Sequence, residues 1–209
     1  MDSFLSYFVG TIVSPRNAFT RLLSDTKQLT IGMKSVLLMG ILYTLTTIVY
    51  AVVRATPIMP PVIGIPAEKY YDYEIFFIIP IFILGWLFTS GLAWILSKLF
   101  KGSGTFKAHL AVLGFALNIP WYITWLVDTI IALLYLFHIL SQKEWAVMIE
   151  QGGIWQAFTY IYPLVALIWL FVLVAIALKV VEKLRWWKII TNSFIDVLCL
   201  QVLMTIIIR

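Results

Sequence analysis

Two carboxylic acids lie in the middle of long apolar segments of this 209-residue sequence. Asp128 comes seven residues after Trp121 and three after Trp125, so these side chains share one helical face. Asp196 has Asn192 about one helical turn before it. A carboxyl group at membrane depth is costly, and it usually marks an ion or proton path or a structural hydrogen bond between helices.

Two interpretations of these residues are open. In one, Asp128 and Asp196, together with Asn118 and Asn192, line a path for protons or cations. In the other, protonated carboxyl groups, or carboxyls bonded to Tyr or Trp, hold the helices together. The sequence favours the structural interpretation, because no Lys or Arg lies at membrane depth beside them and no acidic motif is repeated.

Other site chemistry is not indicated. His109 and His138 lie at opposite ends of one predicted helix, so no His or Cys spacing suggests a metal site. Cys199 has only Asp196 as a neighbouring base, and apolar surroundings favour an inert thiol. Nucleophile-elbow, Walker and dinucleotide-binding motifs are absent from the sequence. We therefore expect no enzyme activity, no cofactor and no metal.

The elements that position these residues must be membrane-spanning helices. Hydrophobic residues make up 62% of the sequence and charged residues 12%, against about 25% charged in soluble proteins. The net charge of +5 comes from basic residues beside apolar segments. This placement fits membrane topology and anionic lipid, and we expect no nucleic-acid binding.

Five segments are apolar enough to cross a bilayer, which takes about 20 residues. They cover about 31–53, 74–99, 106–140, 157–178 and 189–208. The second has a stripe of small residues that suits close helix contact, Gly85, Thr89, Ala93 and Ser97. In the third, Pro120 predicts either an unwound site or, preferably, a modest kink. The fold class is therefore an all-α polytopic membrane protein.

Residues 1–30 predict an amphipathic cytoplasmic segment at the membrane interface. Apolar residues recur at helical spacing from Phe4 to Ile12, and Ser14-Pro15 predicts the start of a second short helix. Arg16 and Arg21 of that helix can reach lipid phosphates. The start of the sequence lacks a positive n-region and a small-residue cleavage site, so we expect no removable signal peptide.

The connecting segments are predicted to be short. A proline-rich loop with interfacial tyrosines joins the first two spans, and a Gly-rich turn ending in the N-cap Thr105 joins the next two. The segment from Ser141 to Gln156 is predicted to be a short polar loop, with Trp145 and Trp155 at the interface.

The distribution of Lys and Arg predicts the orientation of the five spans. The side with the N-terminus has eleven, Arg16, Arg21, Lys27, Lys34, Lys98, Lys101, Lys107, Lys179, Lys183, Arg185 and Lys188. The other side has four, Arg54, Lys69, Lys143 and Arg209. By the positive-inside rule the N-terminus is cytoplasmic and the C-terminus is outside. We expect Arg16, Arg21, Lys183, Arg185 and Lys188 to contact anionic lipid.

Three stretches carry a resemblance to a known family. They are SPRNAFTRLL before the first span, GSGTFKAHLAVLGFALNIPWYI into the third, and WLFVLVAIALKVVEKLRWWKII across the last basic turn. With the order of spans, they resemble the Yip (Ypt-interacting protein) domain family of five-span membrane proteins. The resemblance implies a cytoplasmic N-terminus and, in eukaryotic members, a link to Rab-type GTPases and vesicle traffic.

The short N-terminal segment and compact loops are more similar to prokaryotic members, which implies a cell (inner) membrane location. The first functional hypothesis is a non-enzymatic membrane protein that organises membrane-protein partners, copies of itself or lipids. The alternative is a small transporter or channel for an ion or small solute, using Asp128 and Asp196. A third is an accessory subunit of a larger membrane complex.

Overall fold

The computed structural model describes residues 3–57 and 64–207, and no strand occurs within these ranges. The helices are α1 (Phe4–Val13), α2 (Pro15–Ser24), α3 (Gln28–Val52), α4 (Tyr70–Leu99), α5 (Phe106–Ala116), α6 (Trp121–Leu136), α7 (Gln142–Glu150), α8 (Ile154–Glu182) and α9 (Trp186–Ile207). A single 3-10 turn, Ala67–Lys69, precedes α4. The predicted loop residues Pro60 and Pro61, and the terminal Arg209, lie outside the described residues.

Five helical segments of the described chain are long and apolar enough to cross a membrane, which confirms the predicted all-α multi-span fold. They are α3, α4 with its preceding turn, α5 and α6 together, α8, and α9. Most helices begin three or four residues before the predicted spans, because polar and aromatic residues at the interface continue the helix beyond the purely apolar part. The third span ends earlier than predicted, at Leu136, and His138 follows with a positive φ.

The loop predicted between the third and fourth spans is wrong over residues 142–150, where the chain forms α7. Ser141 accepts the backbone N–H of Glu144, and the Glu144 carboxylate accepts the backbone N–H of Ser141. This capping box supplies partners for groups that a helix start otherwise leaves unpaired. Trp145 anchors the helix, because its side chain is buried.

The third span is interrupted where Pro120 predicts a kink. Residues 117–120 form turns between α5 and α6, and the carbonyls of Asn118, Ile119 and Pro120 each accept an N–H three residues on. The Asn118 amide donates to the Gly114 carbonyl at 2.8 Å. The backbone carbonyls of residues 118–120 are therefore used within the turn. This arrangement supports the kink rather than an unwound site with free carbonyls.

The backbones of α3 and α5 approach each other closely where the two helices cross. A Cβ atom at Gly114 would lie 2.5 Å from the Gly32 carbonyl oxygen, and one at Gly32 would lie 2.6 Å from the Ala111 oxygen. Real Cβ atoms do not approach carbonyl oxygens so closely, so glycine at both positions allows backbone contact between the helices. The whole of α5 after Ala108 is buried, which makes it the centre of the bundle.

The antiparallel spans give the bundle two ends. We call the end with α2, residues 100–105 and residues 183–185 the basic end, and the end with residues 53–57 and 137–141 the opposite end. The contacts from Gly104 to Glu182 and from Lys188 to the Phe100 carbonyl join segments of the basic end. The contact between Thr56 and Gln142 joins segments of the opposite end. The charge pattern that predicts orientation therefore matches one physical end of the bundle.

Candidate functional site

A buried ion pair lies at the basic end, on two helices far apart in sequence. His109 of α5 and Glu182 of α8 have side chains that are fully buried, with Nε2 3.0 Å from Oε1. His109 Nδ1 lies 2.9 Å from the Thr105 carbonyl oxygen. Because a carbonyl only accepts, Nδ1 carries a proton there. The His109 and Glu182 side chains therefore join α5 to α8 at this end of the bundle.

Two glycines let the 100–105 segment close over this pair. The Gly104 N–H donates to Glu182 Oε2 at 2.9 Å. A Cβ at Gly104 would lie 2.5 Å from Val181 Cγ1, and one at Gly102 would overlap the Glu182 carboxylate. The Gly-rich turn is therefore a tight cover for a buried carboxylate.

The amide of Asn192 continues these contacts towards α9. It donates to the Ser97 hydroxyl at 2.9 Å and to the Ala93 carbonyl at 3.1 Å. We call His109, Glu182, Gly104, Asn192 and Ser97 the basic-end network. It joins α4, α5, α8 and α9 with side chains that are all buried apart from Gly104, which has none. This network connects helices; it has no open face towards solvent.

The small-residue stripe of α4 is the surface on which α9 packs. Asn192 meets Ala93, and Leu200 and Met204 of α9 come within reach of a Cβ at Gly85. Antiparallel helices with these two contacts place Asp196 at the level of Thr89 and Ser90. All three side chains are buried, and their oxygens have no hydrogen-bond partner within the described residues.

Asp128 lies in a different part of the molecule, among tyrosines. The Tyr50 hydroxyl donates to the Asp128 backbone carbonyl at 2.8 Å, and the Tyr162 hydroxyl bonds to the Asp128 side chain. On the same side of α6, Tyr43 bonds to Thr124 and Thr46 to Thr129, both at 2.7 Å. These contacts join α6 to α3 and α8.

The structure thus places the two predicted carboxyls in separate interfaces. Asp128 faces α3 and α8, whereas Asp196 faces α4. Asn192 is close to Asp196 in sequence but bonds into the basic-end network, and Asn118 bonds to Gly114 in the preceding helix α5. The ion path through these four residues stays a prediction.

The predicted N-terminal helices form a hairpin against the bundle. The Tyr7 hydroxyl of α1 donates to Asp25 at the end of α2 at 3.0 Å, and Phe8 meets Tyr122 edge to face. Buried residues of α2 face the bundle, Ala18, Phe19 and Leu22. The hydrogen bonds from the Lys27 backbone N–H and the Tyr7 hydroxyl hold the pKa of the Asp25 carboxyl below its usual range.

The predicted lipid-contacting cations differ in their surroundings. Arg16, Lys183 and Arg185 are exposed at the basic end. Arg21 is exposed as well, and its guanidinium also lies 5.8 Å from the centre of the Tyr7 ring. Lys188 is half-buried, since its ammonium group donates to the Phe100 carbonyl at 3.0 Å. Lys188 therefore joins the start of α9 to the end of α4 as well as carrying charge.

The family is identified by a match along nearly the whole chain. The model of the Yip1 domain matches residues 9–207, from α1 to the end of α9. The chain belongs to the Yip1 domain family. This confirms the resemblance seen in the three sequence stretches. Comparison with curated proteins and with solved structures finds no match.

For this Yip1-domain protein, sequence reasoning missed the central pair of the basic-end network. The sequence raises His109 only as a possible metal ligand, and it predicts no role for Glu182. One signal was available in the sequence, a carboxylate between basic residues at the end of an apolar span. Its partner could not be identified, because the two residues are 73 positions apart and meet only after α5 and α8 pack.

Proposed function

We propose that this Yip1-domain protein is a non-enzymatic membrane protein that organises lipids and membrane partners at the cytoplasmic face of a cell membrane. The observation that carries the proposal is the N-terminal hairpin. One face of it packs on the bundle, and the other presents apolar side chains at the basic end. Leu5 and Val13 are 65% and 76% exposed, and Val9 and Ile12 are also exposed.

An apolar surface beside cationic groups suits the boundary between acyl chains and phosphates. Arg16 follows this surface directly and is exposed. The hairpin is also attached to the protein through Tyr7, Phe8 and the buried face of α2. A lipid-facing element held rigidly on a helical bundle fits a role in organising the surrounding membrane better than a role in chemistry.

The proposal is tested in nanodiscs of phosphatidylcholine with and without phosphatidylglycerol. Hydrogen–deuterium exchange of residues 4–24 reports how firmly the hairpin is held. We expect Arg16→Gln to raise exchange in the anionic nanodiscs only, and the matched surface change Lys143→Gln at the opposite end to leave it unchanged. Equal exchange of the wild type in both nanodiscs would rule out the lipid-contacting role.

The second part of the proposal, that the protein organises membrane partners, needs a different experiment. Purification from native membranes into nanodiscs, followed by mass spectrometry, identifies proteins that remain bound. A stoichiometric membrane protein is the expected result. Recovery of the chain alone, as a monomer, in every membrane tested would contradict the organisation of partners.

A small ion transporter is the second candidate, and one observation favours it. Asp196, Thr89 and Ser90 bring three buried, unpartnered side chains to the α4–α9 interface within the described residues. Oxygen atoms of this kind are the groups that bind monovalent cations or relay protons. Flux into proteoliposomes that Asp196→Asn abolishes, without unfolding the protein, is the expected result. Absence of flux under proton and sodium gradients would rule this candidate out.

A further inference from the structure

A cavity of about 500 Å³ opens at the opposite end of the bundle. The end of α3, the end of α6 and the start of α7 line it. Its volume lies within the range of small-molecule sites, about 300–1,000 Å³, and far exceeds a packing defect the size of one water molecule, about 30 Å³. The cavity is therefore large enough for a lipid headgroup.

The walls of the cavity are held in place by defined contacts. Gln142 Oε1 accepts the Thr56 N–H at 3.0 Å, and Gln142 Nε2 donates to the Thr56 hydroxyl at 3.0 Å and to its carbonyl. These bonds tie the start of α7 to the segment after α3. Beneath them, Ala55, Tyr135 and Trp145 form a small buried cluster of their own. The cavity has a built floor and does not depend on loose packing.

Charged and polar groups of both signs line the cavity. Arg54 and His138 are exposed, and neither has an ion-pair partner within the described residues. Glu144 lies on the same wall and uses one carboxylate oxygen, Oε2, to accept the Ser141 N–H and hydroxyl. A guanidinium suits a phosphate, and a carboxylate suits an ammonium group. The lining thus fits a ligand that carries one negative and one positive group.

Apolar surface continues from the cavity towards the lipid. Val52 and Leu136 line the cavity, and Phe137 and Ile139 next to it are 66% and 70% exposed. The ends of membrane-spanning helices lie at headgroup depth, and the neighbouring Tyr50 and Tyr71 rings, stacked at 5.0 Å, suit that depth as well. A bound headgroup can therefore keep its acyl chains along the apolar rim.

We propose that the cavity between the ends of α3 and α6 and the start of α7 binds a zwitterionic phosphodiester headgroup with a primary ammonium, of the phosphatidylethanolamine class. Arg54 binds the phosphate, with His138 as an additional hydrogen-bond donor, and Glu144 accepts the ammonium. The inference rests on the proposed lipid-organising role for its choice of a lipid as ligand. It assigns that role a second surface, distinct from the N-terminal hairpin.

The site is tested by native mass spectrometry of the whole protein in detergent with equal amounts of phosphatidylethanolamine, phosphatidylcholine and phosphatidylglycerol. We expect phosphatidylethanolamine to be retained preferentially. Choline has no N–H to donate to Glu144, and glycerol lacks the positive charge. Equal retention of the three lipids, or preference for phosphatidylglycerol, would overturn the proposal.

Variants connect that preference to the cavity. Arg54→Gln and Glu144→Gln should each weaken phosphatidylethanolamine binding at least about tenfold, because each removes a charge-assisted hydrogen bond. Glu144→Gln keeps a side-chain oxygen that can accept the Ser141 N–H. The matched control Lys143→Gln changes a neighbouring charge outside the lining and should have no effect. Unchanged binding in Arg54→Gln or Glu144→Gln, or equal loss in Lys143→Gln, would overturn the assignment.

Two further measurements keep the test decisive. Val52→Trp keeps both charges but fills space, so it should also weaken binding; unchanged affinity would place the lipid elsewhere. Glycerophosphoethanolamine, the headgroup without acyl chains, should bind at least about tenfold more weakly if the ligand is a lipid. Equal affinity would assign the cavity to a soluble compound instead. Arg16→Gln should not change phosphatidylethanolamine binding at the cavity. Failure of the cavity proposal is therefore distinguishable from failure of the hairpin proposal.

Discussion

Helices terminate in the same way at the two ends of the bundle. The space next to the helix ends, however, is filled at one end and open at the other. Positive-φ residues follow the spans at both ends, Lys101 and Lys183 at the basic end and Arg54 and His138 at the opposite end. Basic side chains there complement the negative ends of helix dipoles. At the basic end the adjoining space is filled by Glu182 and two close-fitting glycines. At the opposite end it remains a cavity of about 500 Å³.

The difference shows that helix termination does not decide where a site forms. Whether a site forms depends on whether the side chains next to the helix ends fill the space there. At the basic end, Glu182 and His109 fill the interior and lie within ion-pair distance of each other. At the opposite end, Gln142 bonds to the backbone of Thr56 and bridges two segments without filling the space between them. We interpret the basic-end network as structural and the opposite-end cavity as the place for a ligand.

Substitution of the two histidines gives the strongest test of this difference between the ends. His109→Leu removes the partner of a buried carboxylate and should lower the free energy of unfolding by about 3–5 kcal/mol. His138→Leu changes an exposed side chain and should cost less than about 0.5 kcal/mol. Unfolding by SDS titration from mixed micelles, followed by circular dichroism, measures both. The double change His109→Leu with Glu182→Leu should recover part of the loss; no recovery would show that the pair is not coupled.

Glycine substitutions compare a filled interface with an open one. Gly114→Ala forces a Cβ against the Gly32 backbone and should destabilise the protein by about 1–3 kcal/mol. Gly91 has nothing within 4 Å of an added Cβ, so Gly91→Ala should stabilise α4 by about 0.5–1 kcal/mol. Thermal unfolding in the same detergent distinguishes the two. Effects of the same sign would contradict the close approach of α3 and α5.

Gln142→Leu tests the clamp at the opposite end. It removes the hydrogen bonds to Thr56, but water at the membrane interface can replace them, so the expected cost is about 1 kcal/mol. The loss should appear as faster hydrogen exchange in residues 54–57 and in α7, while residues 106–116 stay protected. A cost as large as that of His109→Leu would mean that both ends support the fold equally.

The smallest expected effect is the acid response of the α7 cap. Hydrogen bonds from the Ser141 backbone N–H and hydroxyl hold the pKa of the Glu144 carboxyl below its usual range. A lowered pKa in the folded state means that this contribution is present above the ordinary pKa of Glu and is lost as the pH falls through the folded value. The protection factor of the first turn of α7, which corrects for the slower intrinsic exchange at low pH, should therefore fall on acidification. Ser141→Ala should show fast exchange at neutral pH already; identical profiles would exclude the cap.

Hydrophobic length and local capping were sufficient to predict much of the fold. Long apolar runs predicted all five spans, Pro120 marked the break in the third, and Thr105 caps α5 by accepting the Ala108 N–H as expected. Ser14 stands before α2, but its hydroxyl accepts the Asn17 side chain and makes no backbone cap. These features depend on residues within one turn of each other, so a single segment contains their cause.

What the sequence did not predict depends on contacts between distant segments or on a weak local signal. The pair of His109 and Glu182, and the cavity beside Arg54, each need helices to pack before they exist. The helix α7 was different, because Ser141 and Glu144 form a capping-box pattern that can be read directly. Its polar composition hid that pattern and favoured a loop.

Hydrogen–deuterium exchange of the whole protein in nanodiscs, with phosphatidylcholine alone or with added phosphatidylethanolamine, tests the contrast between the ends most directly. The account predicts slow, lipid-independent exchange in residues 104–116 and 182–196. It predicts faster exchange in residues 52–57 and 136–145, which slows when phosphatidylethanolamine is added. Fast exchange at the basic end, or no response to phosphatidylethanolamine at the opposite end, would contradict it.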